Sequence, residues 1–190
     1  MSTQTKTFLT PEEYLALERA SETKCEYFNG EMFLMTGASR EHNLISTNIS
    51  RELSQQLKGK PCETYGSDMR VYAPSGGLYT YPDVVVVCGE PAFQDAHVDT
   101  LLNPTLIVEV LSESTESYDR GKKFAQYRSI ESLAEYLLVA QDEYRVEQFV
   151  RQPDGRWLLA DIRSLEASVE LSSVPCNLSL REVYDRINLA

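Results

Sequence analysis

Two strongly apolar runs constrain this chain most: Pro82-Asp83-Val84-Val85-Val86-Val87 and Leu106-Ile107-Val108-Glu109-Val110-Leu111. Runs this short and this rich in aliphatic side chains read as strands covered on both faces, hence as the centre of a sheet. Each nevertheless carries one carboxylate where a core strand takes an aliphatic side chain. An ionised carboxylate withdrawn from water without a partner is costly, so each acid must be protonated or meet a cation. Side chains alternate along a strand, which sets Asp83, Val85 and Val87 on one face, and Ile107, Glu109 and Leu111 on one face of the other run. If the two strands lie side by side, Asp83 and Glu109 meet at one edge of the sheet.

The surrounding elements can be placed from local signals. Thr10-Pro11-Glu12-Glu13 is a capping box with proline at the first helical position, and predicts a helix from about Pro11 to Ser21. Asn29-Gly30 between Glu26-Tyr27-Phe28 and Glu31-Met32-Phe33-Leu34-Met35 predicts a hairpin. Ile45, Ile49, Leu53 and Leu57 recur every four residues, so an amphipathic helix follows, with Ser39 as its cap. Strands are expected at about Asp68 to Tyr72, Tyr81 to Val87 and Leu106 to Leu111, with a polar loop from Gly89 to Asn103. A helix from about Tyr118 to Ile130, a buried strand at Glu135 to Ala140 and a meander (Tyr144 to Val150, Trp157 to Ile162) come next. A second capping box, Ser179-Leu180-Arg181-Glu182, predicts a terminal helix to about Ile187. This order of elements implies an α/β fold with a mixed central sheet flanked by helices.

At 190 residues the chain is expected to be one domain, 1–190, with residues 1–9 flexible. No apolar run approaches the roughly 18 residues of a membrane-spanning helix, and the polar start carries no leader pattern, so a cytoplasmic protein is expected. Cys25, Cys62, Cys88 and Cys176 are widely spaced and read as reduced thiols. The net charge of −11 argues against simple polyanion binding, which draws its affinity from lysine and arginine. Basic residues gathered on one face, a dimeric groove or bound divalent ions would meet that objection.

Two acids followed by the helix-borne pair Lys122 and Lys123 make a candidate metal-dependent hydrolytic site. Oxygen ligands suit Mg²⁺ or Mn²⁺, and such an ion would activate water and stabilise a leaving oxygen. Plainer readings stand beside it. Asp83 after proline can cap backbone amides, Glu109 can pair with a residue such as Arg70, and Lys122 or Lys123 can be a solvated charge. Asp119 and Lys123, four apart, can form a surface pair. Glu31 is a third acid or an exposed strand residue, and His42 reads as a cap or core-edge residue rather than a ligand. Tyr65, Tyr72, Tyr79 and Tyr81 at strand spacing read as packing rather than as base-stacking rings.

Pro82-Asp83, Glu109 in an apolar strand and a later lysine resemble the PD-(D/E)XK nuclease superfamily, the restriction-endonuclease-like fold. More closely, Glu109-Val110-Leu111-Ser112, Tyr118-Asp119-Arg120-Gly121, Lys123-Phe124, Tyr127 and Glu135-Tyr136-Leu137-Leu138-Val139 resemble the Uma-two-type family of restriction endonucleases. The resemblance runs from about Thr10 to Ile187 and includes Asn29-Gly30-Glu31 and His42. Leu111 stands where the superfamily motif has its lysine, and Lys123 on the following helix is the position that matches in this family. The resemblance implies Mg²⁺-dependent (or Mn²⁺-dependent) hydrolysis of DNA, with Asp83, Glu109 and the Val110 carbonyl as metal ligands. Lys123 then positions the attacking water, Glu31 is an added acid, and the protein is a homodimer. The alternatives are an inactive descendant that binds nucleic acid or a protein partner, and a hydrolase of small phosphate compounds.

Overall fold

The structure is a computed structural model and describes residues 8–113 and 115–189. The expected flexible start lies outside these residues as far as residue 7, as does the stretch judged for a leader. Leu9 N–H donates to Gly30 O at 2.9 Å and its carbonyl accepts from Tyr27 Oη at 2.8 Å.

Helix α1 (Pro11–Ala20) has the full capping box, with Thr10 and Glu13 each bonded to the other's backbone. Strands β1 (Cys25–Phe28) and β2 (Glu31–Leu34) form the Asn-Gly hairpin, and Asn29 and Gly30 take positive φ values of 49° and 87°, as a type I′ turn requires. Helix α2 (Arg40–Gln56) starts at Ser39, whose Oγ accepts from His42 N–H. Then come β3 (Cys62–Gly66), β4 (Arg70–Ala73), β5 (Leu78–Thr80), β6 (Val84–Cys88), β7 (Thr100–Leu101) and β8 (Leu106–Val110). A continuous helical stretch follows: α3 (Glu116–Tyr118), a π-helical turn (Asp119–Lys123) and α4 (Phe124–Tyr127). The chain ends with β9 (Glu135–Val139), β10 (Val146–Arg151), β11 (Trp157–Ile162), β12 (Ser168–Glu170), β13 (Asn177–Ser179) and α5 (Leu180–Val183).

Two mixed sheets and a small ribbon result, in the orders β2-β1-β5-β4-β7, β11-β10-β9-β8-β6-β3 and β12-β13. The two acid-bearing runs do lie next to each other inside the larger sheet, antiparallel, with Val84 opposite Val108 and Val85 opposite Ile107. Alternation then sorts the core. Val84, Val86, Val108, Val110, Leu137 and Val139 pack under α2 through Ile45, Ile49 and Leu53. Val85, Val87, Ile107, Leu111, Tyr136 and Leu138 pack on the other face under Phe124, Tyr127 and Ile130. Glu109 belongs by parity to this second face, directly beneath the helix that carries Lys123.

Several sequence expectations are corrected. Asp83 precedes β6 rather than lying within it, because Tyr81 and Pro82 carry the chain from the small sheet to the large one and proline has no N–H to give a ladder. The polar loop at 89–103 contains β7, which pairs parallel with β4. The strand expected at Asp68 to Tyr72 begins two residues later, and β3, β5, β12 and β13 had no distinct signal. The terminal helix stops at Val183, and Ser179 makes no side-chain cap bond. Cys62 and Cys88 are joined in a disulfide, because the β3–β6 register puts them directly opposite each other; Cys25 and Cys176 are free.

Candidate active site

The β6–β8 register, carried back one residue, sets Asp83 opposite Glu109. Asp83 Oδ2 accepts the Val110 N–H at 2.7 Å, which fixes its carboxylate against the strand that bears Glu109. Its other oxygen, Oδ1, is 2.7 Å from His42 Nε2 in the first turns of α2. Asp83 thus caps a backbone amide, as the plainer reading allows, and also lies opposite Glu109. His42 follows the α2 cap as expected, yet it also reaches the site, a contact that α2 provides by lying across the sheet.

Glu109 is 4 % exposed, and its Oε1 accepts two donors, the Tyr127 hydroxyl at 2.7 Å and Lys123 Nζ at 2.9 Å. Burial pushes its carboxyl up to about 8; Lys123 opposes that rise, while Asp119 and Asp83 add to it. Lys123, 5 % exposed, also lies 3.2 Å from Glu26 Oε1 and 3.6 Å from Asp119 Oδ1. Burial alone would lower its pKa, but Glu109, Glu26 and Asp119 outweigh it and keep the ammonium protonated. The Asp119–Lys123 pair is therefore buried, not a surface pair. The π-helical turn widens the helix between these two residues, a feature that gathers at functional sites, and Tyr136 Oη donates to the Asp119 carbonyl at 3.3 Å.

Arg70 does not serve Glu109. It is buried on the far side of the small sheet, where it donates to Tyr81 Oη and Thr100 Oγ1, each at 3.0 Å, and lies 3.7 Å from Asp99. Tyr72 and Tyr79 pack with each other, and Tyr79 joins Tyr14 and Tyr27 under α1. Lys122 is exposed on the helix. Glu31 starts β2, half-buried, on the same face of the hairpin as Glu26. The hairpin acid in an ion pair with Lys123 is Glu26, which also accepts from Thr80 Oγ1. Glu26 carried no sequence signal, because its position depends on β1 pairing with β5, where Tyr27 faces Tyr79.

Three carboxylates, from Glu109, Glu26 and Asp119, thus surround the Lys123 ammonium, and Asp83, opposite Glu109, meets the His42 imidazole. That excess of hard, anionic oxygen suits Mg²⁺ or Mn²⁺ chemically. Among the described residues, no three His, Cys, Asp or Glu side chains converge in metal-ligating geometry; the Asp83 and Glu109 oxygens bond Lys123, His42, Tyr127 and the Val110 N–H.

Residues 11–183 match the Uma2 family, described as "Putative restriction endonuclease". The chain belongs to the Uma2 family. Two Synechocystis proteins, each called uncharacterized, are similar to this Uma2 chain: sll1609 is 40% identical, covering 90% of this chain and 97% of its own, and slr1290 is 36% identical, covering 93% and 91%. The crystal structure of a "putative nuclease belonging to DUF820" from Anabaena variabilis superimposes with a TM-score of 0.76, covering 93% of this chain and 97% of that one. At 18% identity that match establishes the fold of the Uma2 chain, a mixed α/β architecture. Among the described residues no helix is long and apolar enough to cross a membrane.

Proposed function

We propose that this Uma2 protein is a divalent-metal-dependent endonuclease that hydrolyses phosphodiester bonds in DNA. The observation that carries this reading is the convergence of Asp83, Glu109 and Lys123 at one end of adjacent central strands. Asp83 and Glu109, with the Val110 carbonyl, are the residues that would hold Mg²⁺ or Mn²⁺, which supplies charge neutralisation and an acidified water when bound. The Val110 N–H and His42 orient the Asp83 carboxylate, and Tyr127 orients that of Glu109. Lys123 stays protonated beside Glu109, where an ammonium can orient the attacking water and offset charge developing on phosphate. Glu26 and Asp119 hold that ammonium in place, and Glu31 remains a further acid on the same hairpin face. A homodimer in the cytoplasm completes the reading; sedimentation velocity tests the dimer.

The test is nicking of supercoiled plasmid with Mg²⁺ or Mn²⁺ by wild type, Asp83→Ala, Glu109→Ala and Lys123→Ala, with Mn²⁺ binding measured by calorimetry on the same proteins. Metal-dependent nicking lost in the first two variants supports the reading; equal nicking by all four sinks it. A second reading, an inactive nuclease-fold protein that binds a partner, is favoured by the recess of about 600 Å³ beside the end of β8. Five acids, Glu41, Glu113, Glu116, Asp142 and Glu143, line it against the single cation Arg120, a rim that on balance repels a polyanion.

A further inference from the structure

We propose that the recess between Arg128, Ser129, Arg151 and Trp157 is an oxyanion site that takes a phosphate group. On the nuclease reading, that group is a backbone phosphate of the nucleic acid held away from the cleavage centre. The recess has a volume of about 460 Å³ and lies where the end of α4 meets the β10–β11 turn, at Gly155.

The argument is one of unbalanced charge. In this chain of net charge −11, the other arginines each have a carboxylate within ion-pair distance. Among the described residues Arg128 and Arg151 have none. Arg151 donates to the carbonyls of Arg128 at 2.6 Å and Glu131 at 3.1 Å, which leaves its charge uncompensated and fixes its fork beside the recess. Its guanidinium lies 4.9 Å over the Trp157 ring, and that of Arg128 lies 5.4 Å over Phe124, so both are stacked and pre-aligned. Nearby acids do not neutralise them. Glu131 acts on Arg151 only from a distance, and Asp154 is held by Arg156 at 2.7 Å. Two stacked guanidiniums lining one recess, with N–H groups beyond those bonded to carbonyls, match the planar, multidentate donor pattern that phosphate selects, while the Ser129 hydroxyl, which donates to Gln126 O, only lines the wall. Phe124 follows Lys123 directly and contacts Trp157 edge-on, so the recess and the catalytic ammonium are carried by one rigid helix.

The phosphate could be free or part of a nucleic acid, and two assays separate these. Thermal melting of the full chain is followed in inorganic phosphate against chloride at equal ionic strength. Binding of a labelled duplex is followed by anisotropy in EDTA across a salt series. Arg128→Gln is the test variant, because its side chain is exposed and Arg151 is tied into the backbone; Lys58→Gln, an exposed lysine on another element, controls for net charge. We expect phosphate to raise the melting temperature of wild type and Lys58→Gln but not of Arg128→Gln. We also expect Arg128→Gln alone to lower the slope of log affinity against log salt by about 0.9, one phosphate contact. If the two variants behave alike in both assays, the site does not exist. Phosphate stabilisation that depends on Arg128, with no duplex binding at any salt, overturns the nucleic-acid assignment and leaves the anion site. An Arg128 effect in a protein that never nicks plasmid defeats the nuclease reading and not the recess.

Discussion

Lys123 Nζ lies 2.9 Å from Glu109 Oε1 with both side chains nearly sealed from water, and the ammonium is shared with Glu26 and Asp119. Removing the cation strands two buried acids and the partly buried Glu26, whereas removing the Glu109 carboxylate leaves Lys123 two partners. Lys123→Met should therefore cost about 3–5 kcal/mol of stability and Glu109→Gln clearly less, with the double variant recovering part of the lysine's loss. Urea unfolding of the four proteins decides it: a Lys123→Met protein as stable as wild type would mean the network holds nothing together.

Tyr127 is buried, and its hydroxyl donates to the same Glu109 oxygen. Tyr127→Phe keeps the ring packed edge-on against Tyr136 of β9 but deletes one bond to a buried carboxyl. A loss of about 1–3 kcal/mol is expected. If Glu109 is oriented by this bond, Mn²⁺ affinity falls as well while the aromatic near-ultraviolet dichroism is retained. Unchanged stability and metal binding would show the hydroxyl to be idle.

The central strands were legible because both runs are apolar on both faces, which marks Val84 to Val87 and Leu106 to Leu111 as neighbours inside a covered sheet and puts Glu109 under a helix. Local pattern left Lys122 and Lys123 equivalent; the family resemblance singled out Lys123, and the structure buries Lys123 and exposes Lys122. What stayed hidden depended on long-range pairing. Glu26 reaches Lys123 only because β1 crosses to pair with β5, and His42 reaches Asp83 only because α2 lies over the strand starts. Cys62 and Cys88 are separated by 26 positions, and nothing local in the sequence announces that their strands are in register. The four-residue spacing allows the Asp119–Lys123 pair, which forms, but spacing alone does not show that this helical stretch packs on the sheet and buries it.

Asp99 accepts from Arg19 Nε at 2.8 Å and lies near Arg70, tying α1 to β7. The Arg19 bond, with Arg70 assisting against partial burial, holds its carboxyl at about 2, below the ordinary value near 4. Because the folded pKa is depressed, this group's contribution is fully present above pH ~4 and is lost as pH falls through ~2. Stability should decline over that window, and Asp99→Asn should be less stable at pH 6 yet show a shallower acid decline. Urea midpoints between pH 2 and 6 measure this; parallel curves for the two proteins would remove Asp99 from the account.

The Cys62–Cys88 link closes a loop of 26 residues that contains β4 and β5 and leads into Asp83. Chain-entropy reasoning assigns such a cross-link about 3.5 kcal/mol at 25 °C, mostly by restricting the unfolded chain. Reduction with a phosphine, or Cys88→Ser, should therefore lower the melting temperature by several degrees. The link joins the edge strand β3 to β6, the strand that Asp83 precedes, so loosening it should fray β3 before the central strands β8 and β9. Amide exchange resolves the two effects: faster exchange confined to Cys62–Gly66 and the outer half of β6 is expected. Uniform acceleration across β8 and β9 would show instead that the link supports the whole sheet.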